Sequence, residues 1–146
     1  MHLLGQDIAP LGLGCWPLGG AMFGAGRSLG YSGATDDESR RTIHAALDAG
    51  VRLFDTAAAY GAGHAERLLG ETLGNRDNVL IITKIGLPID ETTKQISVEP
   101  DTDPNNVRPA IDACLSRLQR DSIDVLLLHP NTVPVDKAMP LFDEME

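Results

Sequence analysis

Positive charge is what this chain has least of. Twelve lysines and arginines stand against 21 aspartates and glutamates, for a formal net charge of −9. Nucleic acid and anionic membrane surfaces are therefore not its expected partners. No apolar run reaches the length of a membrane span. Met1-His2-Leu3-Leu4-Gly5 lacks the basic start and long apolar core of a secretory leader, so the expected location is the cytoplasm. Cysteine is scarce too. Cys15 and Cys114 are far apart, match no metal-ligand spacing and fit a reducing compartment, so no metal site is expected. Sequence alone leaves open a disulfide between them. A dinucleotide fingerprint is also missing. Gly24-Ala25-Gly26 has two glycines at its spacing, but they lie in a glycine-rich stretch and not in a tight strand-to-helix turn.

What is present is enough for one domain over residues 1–146, with 42% hydrophobic residues to build a core. Three short apolar runs organise it. Val51-Arg52-Leu53-Phe54-Asp55 ends in an acid and runs into a small-residue loop carrying Tyr60. Val79 to Lys84 ends in a lysine, and Ile123 to His129 ends in a histidine. Continuous apolar runs followed at once by loops suit strands inside a parallel sheet. In such α/β folds the C-terminal strand ends share one rim. Asp55, Tyr60, Lys84 and His129 are therefore expected to converge there.

The segments between these runs read as helices. Thr35-Asp36-Asp37-Glu38 has the spacing of a capping box, and Gly50 stops the helix it opens. Ala65, Leu68, Leu69 and Leu73 repeat at helical spacing before Gly74. His64 reads as a helix-start residue and His44 as a surface one. Asp103-Pro104 opens a third helix with a cap and a first-turn proline. Cys114 falls on its apolar stripe, and Arg117 and Arg120 near its end suit the helix dipole. Asp136 could cap a last helix, but Pro140 interrupts the pattern and moves its expected start towards Met139. Leu11 to Trp16 is a candidate first strand, Leu3 to Ile8 a small hairpin. Pro17–Gly33 and Gly86–Thr102 are expected to be loops. The order is strand then helix, four times, which predicts an α/β fold with a parallel sheet.

The four rim residues suggest a chemistry. A phenol is a weak proton donor at neutral pH, and a nearby ammonium eases loss of its proton. Lys84 can supply that charge, Asp55 can hold the lysine, and His129 can hydrogen-bond an incoming oxygen. Such a set suits reduction of a carbonyl by hydride from a cofactor.

The motifs resemble those of the aldo-keto reductase family. Leu11-Gly12-Leu13-Gly14-Cys15-Trp16 is similar to its first-strand signature. Phe54-Asp55-Thr56-Ala57 with Tyr60-Gly61 is similar to its second-strand motif, and Ile82-Thr83-Lys84 to its third. Ser116-Arg117-Leu118-Gln119-Arg120-Asp121, Ile123-Asp124 and Leu128-His129 resemble its third helix and fourth strand. The resemblance implies a (β/α)8 TIM-barrel type fold, of which about the first four β/α units are here: a half-barrel. It implies NADPH (or NADH) and a small-molecule carbonyl substrate, with Tyr60 as general acid supported by Asp55, Lys84 and His129. It also implies that Asp55, with Cys15 or Trp16, lines the nicotinamide or substrate pocket. A full barrel needs about 250 residues, and the family's later strands carry most of the phosphate contacts. Two further readings follow: a non-catalytic half-barrel that binds a partner or its own copy through open sheet edges, and a self-standing α/β binding domain.

Overall fold

The computed structural model describes residues 1–145. The chain opens with a small antiparallel hairpin, β1 (His2–Leu3) and β2 (Gln6–Asp7). The main sheet begins at β3 (Gly12–Gly14), a single short strand. After it come a 3₁₀ turn over Trp16–Gly19 and a second hairpin, β4 (Ala21–Gly24) and β5 (Arg27–Gly30). Helix α1 (Asp36–Asp48) starts at the expected capping box: Thr35 and Glu38 exchange side-chain and backbone hydrogen bonds. Then follow β6 (Leu53–Asp55), α2 (His64–Leu73) and β7 (Leu80–Ile85).

The stretch read as a second loop contains β8 (Ile89–Asp90) and β9 (Gln95–Ile96). Asp103 caps a 3₁₀ turn over Pro104–Asn106, which leads into α3 (Val107–Leu118). Strand β10 (Val125–Leu128) and helix α4 (Val135–Met145) follow. Helix α4 starts at Val135, ahead of the start expected near Met139, and Pro140 lies inside it.

The main sheet has the order β10-β7-β6-β3, and its strands run parallel. Each strand is followed along the chain by one helix, as expected of consecutive β/α units. The edges are therefore β3 and β10. The loops expected at Pro17–Gly33 and Gly86–Thr102 instead build a second sheet, β5-β4-β9-β8. Gly24-Ala25-Gly26 sits at the turn of its first hairpin.

Register shows which side of the main sheet is closed. Neighbouring residues on a strand face opposite sides, and paired residues of adjacent strands share a side. Phe54, Ile81, Thr83 and Ile85 face the helices and are 0%, 1%, 0% and 3% exposed. They pack with Ile43 of α1, Leu69 and Leu73 of α2, and Cys114 and Leu118 of α3. The opposite side carries Leu53, Leu80, Ile82, Val125 and Leu127. Leu80 is buried, the other four are not fully buried, and Leu127 is 41% exposed. One face is a sealed core. The other is an apolar face open in part to solvent.

A buried ion pair ties the helical layer to β7. Glu66 of α2 is fully buried. Its carboxylate accepts from Thr83 Oγ1 at 2.5 Å and from Arg117 Nε of α3 at 2.6 Å. Arg117 also donates to Glu91, which Arg67 holds from its other side. Burial works against the Arg117 charge, but Glu66 outweighs it and raises the group above its ordinary value. Sequence reading assigned Arg117 to the helix dipole. Its main partner is a carboxylate one helix away.

Candidate active site

The backbone ladder runs past the strand ends and sets the rim. Cys15 N donates to Asp55 O at 2.8 Å, Thr56 N to Ile82 O at 2.8 Å and Ala58 N to Lys84 O at 3.1 Å. His129 N donates to Ile85 O at 2.7 Å. These bonds hold Asp55, the Thr56–Tyr60 loop, Lys84 and His129 at neighbouring strand ends. Tyr60 is further fixed by contact from below. A Cβ added to Gly19 would stand 2.7 Å from the Tyr60 carbonyl carbon, so the backbones pass too closely for any larger residue there. The second sheet supports the same loop, with Met22 and Ile96 packed on Ala59 and Ala62.

All four expected side chains meet. Lys84 Nζ donates to Asp55 Oδ1 at 2.8 Å and to the Thr56 carbonyl at 2.8 Å, and it lies 3.3 Å from the Tyr60 hydroxyl. It is also 5.0 Å from the Tyr60 ring centre. The imidazole of His129 stands edge-on to Tyr60, with centroids 6.2 Å apart at 84°. Burial, then repulsion from Lys84, pushes His129 below its ordinary value of 6.5, while Asp55 pulls the other way. His129 is therefore neutral at physiological pH. Its Nδ1 is buried with no partner among the described residues.

The two strand-one candidates part company. Cys15 is fully buried, its sulfur donates to Leu13 O at 3.4 Å, and burial pushes the thiol up to about 12. Trp16 is 41% exposed and stacks on Tyr60, with centroids 6.0 Å apart at 24°. Tyr31 meets Trp16 edge-on at 5.3 Å. Sequence reading did not single out Tyr31. The only signal was that it is one of two tyrosines and follows a glycine-rich segment. His64 starts α2 and bonds Asp36 of α1 at 2.8 Å, away from this cluster. Both cysteines are free. Among the described residues no group of three histidine, cysteine or acidic side chains is placed to hold a metal. No described helix is long and apolar enough to cross a membrane.

An ammonium braced by a carboxylate, a phenol beside it and a neutral imidazole across from it can move a proton to an oxygen and stabilise charge there. Successive β/α units with polar groups at the strand C-termini define part of a (β/α)8-type barrel. Comparison with known proteins agrees. The Aldo/keto reductase family profile matches residues 10–146. The Bacillus subtilis aldo-keto reductase YhdN is 34% identical over 97% of this chain and 40% of its own length. Aldo-keto reductase AKR11C1 from Bacillus halodurans, in its holo form, superposes with a TM-score of 0.73 at 26% identity, over 97% of this chain and 43% of that one. The glycerol dehydrogenase AKR11B4 from Gluconobacter oxydans does so with a TM-score of 0.69 at 34% identity, over 92% and 39%. The chain belongs to the aldo/keto reductase family, and it spans about 40% of the length of YhdN.

Proposed function

We propose that this chain carries the proton-donating half of a carbonyl reductase that uses NADPH (or NADH). One observation carries the reading: Lys84 Nζ reaches Asp55, the Thr56 carbonyl and the Tyr60 hydroxyl at once. Tyr60 gives its phenolic proton to the oxygen of an aldehyde or ketone as that oxygen becomes an alkoxide. The ammonium 3.3 Å away stabilises the phenolate left behind. Asp55 and the Thr56 carbonyl hold the ammonium in place. His129, neutral, hydrogen-bonds the same substrate oxygen and fixes its direction.

The residues present fit the nicotinamide end of the cofactor. Trp16 is 41% exposed beside Tyr60, and the Asp55 side chain that braces Lys84 is 40% exposed. The buried, unpartnered Nδ1 of His129 leaves this wall with hydrogen-bonding capacity to spare. When bound, the reduced nicotinamide supplies the hydride. Cys15 is left out of this contact set, because its side chain faces the core. Free thiols suit a cytoplasmic setting.

In a barrel completed with a relative's remaining strands, Lys84→Met should lower aldehyde turnover by about 10²–10⁴-fold, the range for a group that supports proton transfer. Unchanged turnover would reject the arrangement. A second reading has its own observation. Leu127 on the edge strand and the open apolar face favour association with a second copy through the sheet.

A further inference from the structure

A separate cavity lies behind the rim, between the sheet and its outer helices. Its volume is about 290 Å³. Ile85, Val107 and Leu141 form its inner wall and are 3%, 5% and 1% exposed. Leu87 and Ala110 line its sides. Asp101 is half-buried and Asp103 exposed, which puts the two carboxylates at the solvent end.

The cavity is held open by covalent and hydrogen-bonded structure. Gly86 forms part of the wall at φ +112°, and a Cβ there would stand 2.6 Å from the His129 carbonyl oxygen. The loop is then pinned by Asp101 N donating to Gly86 O at 2.8 Å. Asp101 is itself fixed. Its two oxygens accept from Asp103 N at 2.9 Å and from Asn106 Nδ2 at 2.8 Å. Those donors are neutral. Among the described residues no lysine, arginine or histidine pairs with Asp101 or Asp103.

We infer that this cavity binds a small organic monocation, with an apolar body inside and an ammonium at Asp101 and Asp103. Three features select that class. The size approaches the lower bound of ligand pockets, about 300 Å³, and suits a single-ring molecule. The walls reward burial of hydrocarbon. The aspartates at the opening accept hydrogen bonds from neutral donors, Asp103 from Asn105 N and Nδ2, but no basic side chain among the described residues pairs with either, so their net negative charge attracts a cation and repels a carboxylate. The inference does not depend on the reductase reading.

The test is an amide NMR titration of the 146-residue chain with 2-phenylethylammonium, and in parallel with 3-phenylpropionate. The cation should give saturable shifts centred on Gly86, Asp101, Val107 and Ala110, and the anion should leave those amides in place. Asp101→Asn removes the charge and one of the two acceptor oxygens, and should weaken the cation roughly fivefold, as for a partly exposed ion pair. Ala110→Leu should fill the cavity and abolish binding. The cation and anion arms need only the unaltered chain, so they decide the matter even if a variant does not fold. No saturable shift, equal shifts with the anion, or shifts centred on another acidic surface would each overturn the inference.

Discussion

Arg117→Met should be among the most damaging single changes in this chain. The side chain of Arg117 is 9% exposed and that of its partner Glu66 is 0% exposed. Removing the guanidinium leaves a sealed carboxylate with only the Thr83 hydroxyl to satisfy it. Breaking one side of a buried pair costs about 3–5 kcal/mol, because the remaining charge keeps its full desolvation penalty. Domains of this size have about 5–15 kcal/mol of stability in total. With a urea slope of about 1.5 kcal/mol/M, the unfolding midpoint should fall by about 2–3 M. The double variant Glu66→Leu with Arg117→Met removes both charges and should recover most of that loss. Urea unfolding at matched protein concentration, run as a double-mutant cycle, measures both effects. The damage should reach the rim, since Thr83 immediately precedes Lys84. An Arg117→Met midpoint within about 0.5 M of the parent would refute the reasoning.

Two other predictions follow from the same structure. His129 lies below its ordinary value in the folded chain. The unfolded state therefore binds more protons in the window just below pH 6.5. Stability should be full above that value and fall as the pH drops through it, and His129→Asn should flatten that part of the profile. Urea midpoints taken from about pH 8 to 5 check this. The isolated chain should also associate through its open sheet face and the β3 and β10 edges, because Leu127 and its neighbours lack a covering layer. Light scattering after size exclusion should show dimers, with the near-UV signal of Trp16 reporting a packed state. A monodisperse, sharply unfolding monomer would contradict it.

The parallel sheet was legible because its signals are local. Phe54, Ile81 and Leu126 sit in apolar runs bounded by a polar residue and a loop, and Thr35 and Glu38 mark a helix start within four residues. The convergence of Asp55, Tyr60, Lys84 and His129 followed from topology alone, since each lies within a residue of, or follows, the C-terminal end of a strand of one parallel sheet. The second sheet was not legible. Its strands are two to four residues long, Gly24-Ala25-Gly26 at the turn of its first hairpin carries no side chain larger than a methyl group, and β4 pairs with β9 far along the chain. No alternation can develop over such lengths. Glu66 was invisible for a different reason. An acid in the first turn of a helix is ordinary at the surface, and only the packing of α3 over α2 encloses it. Cys15 and Trp16 are adjacent, and sequence could not say which turns inward. The 3₁₀ turn at Trp16 decides that.

The central claim is that Tyr60 is the proton donor of a carbonyl-reducing rim. Tyr60→Phe tests it most directly, in a barrel completed with a relative's remaining strands. Aldehyde turnover and NADPH affinity are measured separately on the same protein. The change keeps the ring that stacks on Trp16 and removes only the hydroxyl 3.3 Å from Lys84. Turnover should fall by about 10²–10⁴-fold, the range for loss of a general acid, while NADPH affinity stays within about threefold. Turnover equal to that of the unaltered protein, or a loss explained entirely by weaker NADPH binding, would contradict the assignment.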